Sequence, residues 1–171
     1  MKKVLAVLIP LALCAAATFG FDNDDSEVRW NTIVGVITAP AVDNPVGTIH
    51  AGAGPWTVRA GRARVNLSNG LTFFDVEGLV LNGGNSTGTP GPVTAITGTL
   101  VFNSGTTTAA ILDTTPVSLD VHGDAHFAGH IASIPVTCNN PLFLIRIAAP
   151  AGAAGRWIAT GAERFIGDEG R

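Results

Sequence analysis

Glycine and proline interrupt this chain so often that no long helix can form. There are 21 glycines and 10 prolines, and Val, Ile and Thr fill the short runs between them. No apolar period of 3.6 residues survives long enough to build an amphipathic helix. Short β-rich runs bounded by turn formers are the pattern of strands in a sandwich or barrel. The sequence therefore predicts an all-β, single-domain antiparallel β-sandwich, with a β-barrel as the alternative, of about eight or nine strands.

The clearest element is the segment RARVNLSNGLTFFDVEG. Asn69-Gly70 between two alternating runs is a strong hairpin signal. A two-residue turn there places Val65 opposite Phe74 and Ala63 opposite Val76 on an apolar face. On the other face it places Arg64 opposite Asp75 and Arg62 opposite Glu77. Further strands are expected over residues 28–39, with Gly35 as a bulge, from Trp56 into the hairpin, and over residues 93–102. A short, edge-like run is TTAAILD. A last hairpin is expected from LFLIRIAA and RWIATGA across PAGAAG.

The ends of the chain read differently. MKK followed by VLAVLIPLAL and then CAAATFG has the charged start, short apolar run and small residues of a secretory signal peptide. The run is too short to span a bilayer, which takes about 20 apolar residues. A lipoprotein leader, with Cys14 as the lipidated residue, is the rival, although Leu13 precedes the cysteine. The expected division is a signal peptide over 1–20, an acidic tether over 21–27, a β domain over 28–164 and a tail over 165–171. The mature chain is expected to be secreted or periplasmic, with no transmembrane segment.

Both lysines, Lys2 and Lys3, leave with the leader. The formal charge then moves from −3 to −5, with 8 arginines against 13 carboxylates. Such a balance repels nucleic acid and anionic lipid over long range, so nucleic acid is not an expected partner. Arginine without lysine, alongside abundant Ala and Gly, is the coding bias of a GC-rich bacterium. With Cys14 removed, Cys138 is the only thiol, so no internal disulfide forms, and its apolar flanks predict burial. Asn66 and Asn85 fall in N-x-S/T patterns, read as chance matches in a bacterial protein.

Candidate chemistry concentrates in LDVHGDAHFAGHIASI, which holds three of the 4 histidines. Read as a strand, it alternates with Asp120, His122, Asp124, His126 and His130 on one side and Leu119, Val121, Phe127 and Ile131 on the other. A helix would set Gly123 and Gly129 in its interior and leave no single apolar stripe. Histidines four apart on a straight strand lie about 13 Å from one another, too far to share one ion. Residues two apart lie about 7 Å apart, so the candidate metal ligands are neighbouring pairs among Asp120, His122, Asp124 and His126, holding zinc or copper with a third ligand from elsewhere, His50 being the one histidine left. The competing expectation is a solvated sheet face with no resident cofactor.

GRARVNLSNGLTFFDVEGL resembles the opening hairpin of CHRD domains, secreted β domains found in chordin and in bacteria. The resemblance spans one hairpin. The His-x-His element of that family is absent, and HFAGHI stands in its place, so no residue role is carried over. No HExxH, paired CxxC, GxSxG or phosphate-binding glycine loop is present. The expected function is that of a non-enzymatic binding, adhesion or envelope-associated module of unknown partner. The alternative is a metal-binding protein or metal-dependent hydrolase using the Asp/His row over 120–130.

Overall fold

The computed structural model describes residues 26–38, 42–52, 54–106, 109–132, 134–135, 139–148 and 154–166. The leader, the first residues of the acidic tether and Cys138 lie outside them. The described chain is all β, with eleven strands. Nine make one antiparallel sheet that curls into half a barrel. They are β1 (Glu27–Gly35), β3 (Ala60–Asn66), β4 (Leu71–Glu77), β6 (Ala95–Phe102), β7 (Ala110–Asp113), β8 (Val117–Ser118), β9 (Ala125–His130), β10 (Leu142–Ala148) and β11 (Ala154–Ile166). The order is β7-β6-β10-β11-β1-β3-β4-β9, with β8 paired to one end of β6. β2 (Trp56–Thr57) and β5 (Val80–Leu81) form a separate two-stranded ribbon. The count exceeds the expected eight or nine because three of the eleven are two-residue strands, too short to leave a period in the sequence. Among the described residues no helix is long and apolar enough to cross a membrane.

The concave face holds the core. Trp30, Phe74 and Phe143 are fully buried, and Phe127 nearly so. Their rings meet at 5.5 Å (Trp30–Phe143), 5.8 Å (Phe74–Phe143) and 5.5 Å (Phe74–Phe127). Burying each such ring contributes roughly 1.5–3 kcal/mol. The curl brings β6 over β4, although four strands lie between them in the sheet. A Cβ on Gly98 of β6 would stand 2.7 Å from the Phe74 ring and 2.9 Å from that of Phe143. Only a residue without a side chain permits that approach.

The hairpin forms with the expected faces but a different register. Ala63 pairs with Phe74, Arg62 with Asp75, Arg64 with Phe73 and Val65 with Thr72. The shift is two residues, so Val65, Ala63, Phe74 and Val76 still point inward and both arginines outward. The cause is Asn66. Its side-chain oxygen accepts hydrogen bonds from the Ser68 amide (2.9 Å), the Ser68 hydroxyl (2.7 Å) and the Asn69 amide (3.1 Å). Gly70, at φ +78°, donates its amide to the Asn66 carbonyl at 2.8 Å. The turn therefore takes in residues 67–70, with Asn69-Gly70 only its second half.

Two boundaries also differ from expectation. β1 holds one uninterrupted register against β11 from Val28↔Ile166 to Gly35↔Ala159. Gly35 is thus no bulge against that neighbour. A Cβ there would fall 2.1 Å from the Trp56 carbonyl oxygen, and β1 ends where that backbone crosses. β11 runs on through Phe165 and Ile166, residues assigned to the tail from polarity alone. Pairing with β1 holds them in place.

Candidate binding face

The histidine segment is not one strand. β9 starts only at Ala125, and residues 120–124 fold into a tight turn. Asp120 builds it: one carboxylate oxygen accepts from the His122 amide (2.8 Å) and the Asp124 amide (2.9 Å). These bonds, that of Asp124 foremost, hold the Asp120 carboxyl below the ordinary aspartate range. Gly123, at φ +80°, closes the turn, and its carbonyl accepts a hydrogen bond from the Leu79 amide at 2.8 Å. The Asp124 carboxylate accepts from the Gly78 amide at 2.7 Å. Asp120 and Asp124 are thereby committed to backbone amides.

The turn also reverses one expectation: Val121, assigned to the core, is 78% exposed. The alternation holds from Ala125 onward, with Phe127 and Ile131 inward and His126 and His130 outward. Three of the four candidate metal ligands line two cavities, with Asp124 common to both: His122 shares one with it and His126 the other. His122 and Asp124 line a shallow cavity of about 580 Å³ with Arg59 and Gly78. His126 stands on β9 opposite Asp75, with Nδ1 3.9 Å from a carboxylate oxygen. Among the described residues no three His, Cys, Asp or Glu side chains converge as a metal would require. His50 is engaged with Asp43, whose carboxyl is lowered chiefly by that hydrogen bond.

A different cluster occupies the convex face of β1, β3, β4 and β9. The register aligns Arg29, Arg64, Phe73 and Ala128 in one cross-strand row and Arg62, Asp75 and His126 in the next. Phe73 is half-buried among cations. The Arg64 guanidinium lies 5.1 Å from its ring centroid, that of Arg62 lies 5.6 Å away, and the His126 ring meets its edge at 4.9 Å. Arg62 faces Asp75 across the ladder yet lies over Phe73 instead. Arg29 is paired with Glu27. Arg62 and Arg64 have no ion pair among the described residues, and both are exposed. Arg29, Asn31, Arg62, Arg64 and Phe73 line an open cavity of about 520 Å³.

Arg29 and Arg64 are direct cross-strand partners. Like charges in that position destabilise a sheet, and among the described residues Glu27 is the carboxylate paired with one of them. Each guanidinium presents a planar fork of donors whose geometry matches an oxyanion. The sequence reading paired both arginines with carboxylates and so neutralised them. The two-residue register difference moves Arg64 from Asp75 to Phe73 and Arg62 from Glu77 to Asp75, and Arg62 turns from Asp75 to lie over the Phe73 ring. The visible signal was the R-x-R spacing, which puts two arginines on one face of a strand whatever the register.

No family model, no curated protein and no solved structure matches the chain. The likeness of the hairpin to CHRD domains gains no support from that comparison.

Proposed function

We propose that the chain is a secreted bacterial β domain acting as a non-enzymatic binding module, with the convex arginine face as its binding surface. The observation that carries this reading is the pair of exposed guanidiniums, Arg62 and Arg64, stacked on Phe73 without a carboxylate partner among the described residues. The ring fixes both side chains in place, which lowers the entropy lost when a ligand is held. Four antiparallel strands supply a rigid platform. The leader over residues 1–20 supports export.

Titration of the isotope-labelled protein with citrate, followed through backbone amide resonances, tests the surface. Shifts concentrated at Arg29, Arg62, Arg64 and Phe73 support it. Shifts confined to other strands, or none at low salt, refute it. Export is tested by the intact mass of the secreted product, which should begin between Thr18 and Phe21. A product carrying the whole leader, or a lipid on Cys14, counts against it.

A further inference from the structure

Resting on that binding reading, we infer that the face takes a carboxylate-bearing polysaccharide, a polymer of uronic-acid type. The geometry of the surface is the first argument. It is open and runs across three neighbouring strands, β1, β3 and β4, so it suits an extended chain lying across it rather than an enclosed small molecule. Arg62 and Arg64, two apart on one strand, are about 7 Å apart at Cα, and Arg29 stands directly across from Arg64 at about 5 Å. Such a set can hold two successive carboxylates of one polymer, each by a bidentate fork.

The neighbours of the arginines narrow the class further. Phe73 offers the rest of its half-buried ring to the C–H face of a sugar between those carboxylates. Asn31, on the rim, can both donate to and accept from hydroxyls. Asp75, one row away beside Arg62 and His126, accepts hydroxyl donors. The arginines are thus flanked by an acceptor that suits a hydroxylated chain. The whole-chain charge of −3, or −5 without the leader, repels every polyanion at long range. A ligand seated on the arginines lies within the screening length of about 8 Å at physiological salt, where the local guanidiniums outweigh that repulsion.

The test is a titration of the mature protein with polygalacturonate oligomers, beside neutral dextran, single-stranded DNA and phosphatidylglycerol vesicles, at low and high salt. The expected result is saturable binding of polygalacturonate that weakens with salt, with no binding of dextran and at least about tenfold weaker binding of DNA and vesicles. The Arg62→Gln/Arg64→Gln variant should lose about tenfold or more in affinity, corresponding to about 1.4 kcal/mol or more. Arg59→Gln removes a positive charge elsewhere, beside Glu77, and should retain near-native binding. A loss from Arg59→Gln equal, per charge removed, to that from Arg62→Gln/Arg64→Gln would reduce the effect to net charge and overturn the inference. Tighter binding of DNA or vesicles would overturn the polysaccharide and leave the binding face standing. If citrate perturbs the arginine face and polygalacturonate does not bind, the inference fails alone. If neither acts there, the binding reading fails with it.

Discussion

At the scale of single residues, neighbours along the chain have sharply different roles. Phe127 is 6% exposed and stacks on Phe74, while His126 faces solvent. Phe127→Ala should cost about 3–5 kcal/mol in denaturant unfolding, the range for a buried phenylalanine truncation. His126→Ala should cost less than about 1 kcal/mol and should not respond to chelator. Comparable losses from the two would mean that His126 carries buried structural contacts. Asp120 gives a pH dependence of definite sign. Its folded pKa is lowered, so its contribution is complete above the unfolded value of about 3.9 and is lost as pH falls through the lower folded value. Asp43, lowered by His50, acts in the same direction. The protection of the His122 and Asp124 amides, measured as exchange relative to the intrinsic rate at each pH, should hold at pH 5 and fall below about pH 4. Asp120→Asn should remove most of that acid sensitivity, and an unchanged acid profile in the variant would show that other carboxylates control the turn.

At the scale of the element, the β3–β4 hairpin shows how a polar side chain sets register. Both the expected and the observed pairings bury the same four apolar residues, so hydrophobic burial does not choose between them. The Asn66 side chain does, by satisfying the amides of Ser68 and Asn69. Val65, fully buried on β3, should not tolerate a carboxylate. Val65→Asp is expected to cost several kcal/mol, whereas Arg64→Ala should cost less than about 1 kcal/mol, chiefly its stacking on Phe73. Thermal melts of the two variants check the face. The register itself is read by nuclear Overhauser contacts: Ala63 should meet Phe74, and contacts to Val76 as direct partner would restore the two-residue turn.

At the scale of the whole molecule, the first and last strands are joined. β1 lies between β11 and β3, and β11 between β10 and β1, so the middle of the sheet is made from opposite ends of the chain. That pairing closes a loop of nearly the full sequence before it contributes any contact, which places folding in the slow regime of about milliseconds to seconds. A chain truncated after Ala148 loses β11 and should expose the edges of both β10 and β1. The expected outcome is no cooperative unfolding transition by circular dichroism. A truncated chain that still melts cooperatively would show that the two halves of the sheet fold apart.

The sequence by itself determined the all-β class, the faces of the hairpin, the edge character of β7 and the final β10–β11 pair. These follow from local preferences: turn formers break the chain, and alternation of period two assigns each side chain to a face. It also read residues 119–131 as one alternating strand, an alternation that holds only from Ala125 onward. Tertiary structure decided what local preference leaves degenerate. The hairpin register was open because a shift of two residues conserves every face. The turn at 120–124 depends on Leu79 and Gly78, which no pattern near Asp120 reveals. The arginine face was hidden for the same reason. Arg64 meets an aromatic ring because Phe73 stands across from it, Arg62 leans over the same ring from its place opposite Asp75, and β1 adds Arg29 only once the sheet has assembled. A cross-strand neighbour is a property of pairing, and pairing is fixed by contacts distant in sequence.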